Sequence, residues 1–309
     1  MTTVNSMPAD YALEMPGKLM RAVSPFREMG AYEALWSELR ASFKWVADKF
    51  REHPGSVPSD FVPDEVAAGF ARKTVDTLAA AGIVHFGIRV HGAGEYPMKL
   101  RVADHPVELM YFQGWWDLVE SRGVAVVGTR QPSEQSVART RKLVRSLVED
   151  KFTVVSGLAR GIDTVAHLTT MDAGGRTIAV IGTPLSVRYP RENSDLQDTL
   201  AQDFLVISQV PVIRYDRPNP TENRIFFPER NITMSALTEA TIIVEAGETS
   251  GTLVQARHAL KQKKKLFILE NNFHNPSLKW PHRFEQMGAI RVRDYEDIQK
   301  HLAGTPLQN

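Results

Sequence analysis

Apolar positions recur at two different periods along the chain, and the change of period marks its organisation. Leu35, Leu39, Phe43, Val46 and Phe50 are spaced by three and four, which predicts one helical face over residues 31–52. His53-Pro54-Gly55 stops that helix. Pro63-Asp64-Glu65 opens another, running through Val75 and Leu78 to near Gly82. Residues 1–25 mix Met, Pro, Gly and Ser without periodicity and read as a flexible arm, so a small helical domain is expected over 26–90. From residue 123 onward, short β-branched runs alternate with amphipathic segments. The expected strands are 124–127, 153–155, 177–181, 204–207, 241–245 and 265–269. One intervening helical pattern carries Val137, Val144 and Val148, another Leu253, Ala256 and Leu260. The strands are nearly continuous in apolar residues, as befits strands covered on both faces. Strand–helix alternation of this kind predicts an α/β fold over 91–309, a Rossmann-like doubly wound and mostly parallel sheet.

Composition narrows the function classes. The 309 residues hold 43% hydrophobic positions, enough for a sizeable core. No apolar run reaches the roughly 18 residues of a membrane helix, and no signal peptide is visible, so a cytoplasmic protein without a membrane partner is expected. Cysteine is absent, which excludes disulfides, thiolate metal sites and cysteine nucleophiles. A net charge of +1 means that any nucleic-acid binding must rest on local basic clustering.

Ligands of an open parallel sheet bind beyond the carboxyl ends of the strands. Four of the expected strand ends carry glycine beside hydroxyl residues. They are Gly128-Thr129-Arg130, the run from Ser156 and Gly157 through Arg160 and Gly161 to Asp163, Gly182-Thr183-Pro184, and Gly247 through Ser250-Gly251-Thr252. Glycine admits close approach of the backbone, hydroxyls and helix-start N–H groups donate to phosphate, and Arg grips it bidentately. Each piece alone has an ordinary explanation: a turn, a helix cap, a packed His167, or a solvated Lys263-Lys264-Lys265. Their coincidence at four strand ends predicts one phosphate-binding crest. The crest chemistry itself leaves a nucleotide and a nucleic-acid backbone both open. No dinucleotide fingerprint, Walker loop, nucleophile elbow or zinc-protease motif occurs, no catalytic pair is fixed by spacing, and no metal or cofactor is expected. Asp163 is expected to hold the Arg160 loop, with His167 in structural support.

Taken together, these motifs resemble the DNA-processing protein A (DprA/Smf) family. The resemblance rests on Val127-Gly128-Thr129-Arg130, on Ser156 to Asp163 followed by Ala166-His167, on Tyr189-Pro190-Arg191-Glu192-Asn193, on Phe227-Pro228-Glu229-Arg230-Asn231, and on Glu245-Ala246 followed by Ser250-Gly251-Thr252-Leu253. It covers about residues 80–270, in order. The resemblance implies a non-enzymatic, dimeric protein that binds single-stranded DNA on a basic pocket and loads a RecA-type recombinase. By the same resemblance, Arg130 contacts phosphate, Ser156, Gly157, Arg160 and Gly161 build the adjoining loop, Arg230 and Asn231 flank the groove, Ser250, Gly251 and Thr252 add donors, and Lys264 extends the rim. Phe226, Phe227 and Tyr189 are candidates for base stacking. The chain departs from the family at Ile232, where a second Arg is usual, and at Glu270-Asn271-Asn272, where Pro-Gly is usual. About 40 residues follow the sixth expected strand, too few for the winged helix many members carry.

Two other functions compete. A nucleotide N-glycosidase resembling the lysine-decarboxylase-like family would need a Pro-Gly-Gly-x-Gly-Thr loop, and here Gly247-Glu248-Thr249-Ser250-Gly251-Thr252 stands instead. A sensor of a small nucleotide signal would use the same crest but saturate with a single nucleotide.

Overall fold

The computed structural model describes residues 22–101, 103, 106–216 and 223–302; most of the expected N-terminal arm lies outside them. Its centre is a nine-stranded sheet in the order β1-β2-β6-β5-β4-β3-β7-β8-β9. The six expected strands are β3 (Gly123–Val127), β4 (Thr153–Ser156), β5 (Arg176–Ile181), β6 (Leu205–Ser208), β7 (Ala240–Ile243) and β8 (Lys265–Leu269). All pair in parallel. Three further strands complete the sheet. β9 (Ile290–Val292) lies parallel to β8, while β1 (Gly87–Val90) and β2 (Leu109–Gly114) form an antiparallel pair that joins β6.

Alternation along β3 shows why the sheet is doubly wound. Val124 and Val126 pack beneath α4 (Glu134–Glu149), α5 (Ile162–Asp172) and α10 (Tyr295–Leu302). Ala125 and Val127 face the opposite layer of α7 (Phe226–Leu237), α8 (Thr252–Lys261) and α9 (Trp280–Gln286). Both faces are therefore dry, as near-continuous apolar strands require. Strand order reverses between β3 and β7, so the crevice for a ligand opens there.

The N-terminal helices are α1 (Pro25–Trp36), α2 (Phe43–Glu52) and α3 (Asp64–Ala80). The single helix expected over 31–52 is broken because the Ser42 hydroxyl accepts from Trp45 N–H and caps a new helix, leaving Leu39 fully exposed in the turn. These helices are not a separate unit. Tyr32 donates to the Gln209 carbonyl, and Glu33 accepts from the Val212 and Ile213 N–H groups and from the Tyr111 hydroxyl. Trp36, Phe43 and Phe226 share one core with Ala179 and Ile181 of β5 and with α6 (Ser194–Asp203). The boundary expected at residue 90 therefore falls at the end of an edge strand, and the core runs across it.

Candidate nucleic-acid interface

Three helices start at the carboxyl edge of the sheet: α4 after its cap Ser133, α5 after Gly161 and α8 after Gly251. The positive ends of their dipoles favour anions there. The loops are drawn together by close backbone packing. Thr129 N–H donates to the Glu245 carbonyl and Ile162 N–H to the Thr129 carbonyl. Gly161 has φ +81°, and a Cβ on it would stand 2.4 Å from the Thr129 carbonyl oxygen. Only glycine allows the β3 and β4 loops to meet this closely.

Two clefts share the resulting crest. One, of about 400 Å³, is lined by Gly128, Thr129, Arg130, Asn231 and the 249–252 loop. A tighter one lies beside it, between the 157–160 loop, Gly182, Tyr189 and Phe227. Arg130, Ala159, Phe227 and Arg230 line both. Arg130 is exposed, so its guanidinium is available to a ligand over the junction. Arg160 is exposed too and, among the described residues, is held by an open ion pair to Glu192 at 3.3 Å, a contact worth under about 1 kcal/mol. Tyr189, 44% exposed, stands 5.5 Å from Phe227 between ring centroids, and the Phe227 ring covers Gly182. Phe226, one residue earlier, is wholly buried against Trp36 and Phe43. Adjacent phenylalanines thus divide between core and groove.

Other expected site residues sit beneath the surface. Arg230 lines both clefts from beneath: it is buried, and its Nη1 donates to the carbonyls of Gly157 and Val180, forming their floor. Burial lowers its pKa, nearby Arg130 lowers it further, and Asp163 raises it in part. The Asp163 carboxylate accepts from the N–H groups of Gly157 (3.1 Å) and Ala159 (3.4 Å), which folds the 156–161 loop around it. Burial raises its pKa, opposed by Arg230 and those N–H donors. Ser156 is also placed away from the ligand side, because its hydroxyl donates to the Val126 carbonyl inside the sheet. His167 is packed: Thr177 gives its one proton to Val154, so it accepts from His167 Nδ1–H, and burial holds the imidazole at about 3 and neutral. Asn231 donates to the Gly251 carbonyl, and the Thr252 hydroxyl to that of Gly128, tying α7 and α8 to the β3 loop.

Lys264 is not brought to the crest. It precedes β8, at the amino end of the strands, where burial and nearby Glu239 act on it. Ile232, where a second Arg resembles the family better, is buried and lines neither cleft. Asn193 was not singled out from the sequence as a site residue. Its amide donates to the Leu158 carbonyl and the Thr164 hydroxyl, bracing the loop from the Tyr189 segment. Among the described residues, no group of His, Asp and Glu side chains could hold a metal ion, and no helix is long and apolar enough to cross a membrane.

Known proteins match the chain in sequence and in fold. The model of a family described as DNA recombination-mediator protein A matches residues 87–303. DNA processing protein DprA of Streptococcus pneumoniae is 36% identical over 204 residues, covering 66% of this chain and 70% of the relative. Protein Smf of Escherichia coli is 36% identical over 207 residues, 67% of this chain but only 54% of the relative. The X-ray structure of the pneumococcal DprA superposes with a TM-score of 0.70 at 26% identity, over 91% of this chain and 98% of that one. DNA processing protein A of Helicobacter pylori, whose structure is described for a single-stranded DNA binding mode, gives 0.61 at 26% identity, over 71% of this chain and 96% of that one.

Proposed function

The chain belongs to the DNA recombination-mediator protein A family, and on that premise we propose that its crest holds single-stranded DNA by the backbone, without reading sequence. One observation carries the proposal: exposed Arg130 stands where two clefts join, over a floor made by buried Arg230 and beside the paired rings of Tyr189 and Phe227. A cation with flanking helix N-termini suits phosphate, and a ring ladder suits unpaired bases of any identity. The Helicobacter relative's binding mode supports the same reading. The acids of the crest are already engaged, Asp163 by loop N–H groups and Glu245 by the Ser133 N–H and hydroxyl, which suits a binding protein better than an enzyme. As a mediator, the protein protects the strand and passes it to a RecA-type recombinase, with a second copy of the chain as the other protein partner.

The test is a competition. A labelled oligothymidine of about 15 nucleotides is bound, then challenged with thymidine monophosphate. The mononucleotide is expected to leave the complex intact even in large excess. Failure of the oligonucleotide to bind at low salt, or its displacement by saturating mononucleotide, overturns the proposal in favour of a nucleotide site.

A further inference from the structure

A second trough begins where the crest clefts end. Thr129 and Gly247 line the large crest cleft and also the rim of another, of about 460 Å³, on the α4 side of the sheet. The two residues form a saddle over the crevice between β3 and β7. The α4-side cleft continues past Arg139, Asn271 and His274 into a further hollow of about 340 Å³ that reaches Lys142 and Arg293.

Gln135, Arg139 and Lys142 follow one another along this trough at spacings of four and three on α4, one helical face about 10 Å long. The acids in the trough are engaged. Glu245 Oε2 accepts from the Ser133 N–H at 3.1 Å and hydroxyl at 3.2 Å. Glu270 pairs with Arg291 at 2.7 Å and Arg293 at 3.6 Å, and Asp294 accepts from Asp297 N–H. Arg139 and Lys142 are exposed and make no ion pair among the described residues; Arg139 has only a 3.4 Å contact with Gln135. The lining sets Arg139, Lys142 and Arg293 against Glu245, Glu270 and Asp294, and its cations without an ion-pair partner among the described residues are the two on the α4 wall, Arg139 and Lys142. At the junction of its two halves, Asn271 donates to the Val244 carbonyl, while its Oδ1 is buried and accepts from no described group.

We propose that this trough is a second segment of the nucleic-acid track: the same strand crosses the saddle at Thr129 and Gly247 and lays its phosphates on Arg139 and Lys142. The proposal rests on the crest being a single-strand site. It makes the track longer than the crest and wraps it over the sheet edge from one face to the other.

Two oligothymidines separate the segments, one of about six nucleotides that fills the crest and one of about 15 that also reaches the trough. The variant carries Arg139→Gln and Lys142→Gln, both on an exposed helix face, and its unfolding midpoint is checked against the parent. The long strand is expected to bind it about tenfold more weakly, with a salt slope smaller by about 1.4 for two lost phosphate contacts. The short strand is expected to bind as it does to the parent. Parent-like binding of the long strand overturns the trough, and so does equal weakening of both strands. In either case the crest reading survives if Arg130→Ala weakens both. If Arg130→Ala weakens neither, the crest reading fails and the trough with it.

Discussion

The backbone of Gly157 lies flat against the guanidinium of Arg230. A Cβ on that glycine would stand 2.1 Å from Arg230 Nη1 and 2.5 Å from Cζ. The cation that floors the crest is therefore buried because residue 157 lacks a side chain, and the Gly157 carbonyl then accepts one of its hydrogen bonds. Burying a charge is tolerable only with such partners, which Gly157, Val180 and neighbouring Asp163 supply together.

Replacing Gly157 with Ala forces Arg230 from this position and leaves Asp163 facing a displaced cation. Urea unfolding is expected to show a loss of about 2–4 kcal/mol. A variant as stable as the parent would contradict the assignment of Arg230 to the floor.

Tyr189 is half exposed and paired with Phe227, so its removal touches little of the core. Tyr189→Ala is expected to weaken single-strand binding by about 1–3 kcal/mol, with an unchanged salt slope, because stacking releases no counterions. Anisotropy titrations over a salt series measure both quantities; a changed slope with unchanged low-salt affinity would contradict a stacking role.

Two buried groups give stability opposite pH dependences. Burial raises Glu33 from 4.5 to about 7, so the folded state keeps a proton that the unfolded chain releases. That contribution is complete below about 4.5 and is lost as pH rises through about 7. Burial lowers His167 from 6.5 to about 3, so its contribution is complete above 6.5 and is lost as pH falls towards 3. Between 4.5 and 6.5 the two oppose each other. Glu33→Gln removes one arm, and its unfolding free energy is expected to rise more steeply from about pH 4.5 to 6.5 than the parent's. Parallel profiles for the two proteins would rule this out.

Lys264 supplies a control for charge. It lies at the amino end of β8, across the sheet from the crest. Lys264→Ala is expected to leave the salt slope of single-strand binding within error of the parent; a slope smaller by about 0.7 would show that it does meet a phosphate.

The long-period information in the sequence was readable. β3 to β8 stand where β-branched runs alternate with helical faces, because strands covered on both sides must be apolar throughout. β1 carries Arg89, stacked on Phe112 and Trp116, and β9 is three residues long, so neither shows as an apolar run. Leu39 continued the helical period yet lies in a turn, since a cap at Ser42 outweighs one apolar position. At the site, the strand-end glycines and Arg130 were visible as motifs, and the structure brings them together. Whether Arg230 or Phe226 faced the groove was not visible, because that depends on which way the first turn of α7 packs against β5 and α1. Lys264 was assigned to the rim although its end was legible: it precedes β8, and a residue that precedes a strand of a parallel sheet lies at the amino end, away from the crest.

The central claim is that Arg130 holds the backbone of a single strand. Anisotropy of a labelled oligothymidine of about 15 nucleotides, across a salt series, compares the parent with Arg130→Ala. Arg130 is exposed, so the variant is expected to fold as the parent does. The account predicts linear weakening in log salt for both proteins, with lower affinity and a slope smaller by about 0.7 in the variant. Identical affinities and slopes for the two proteins would contradict it.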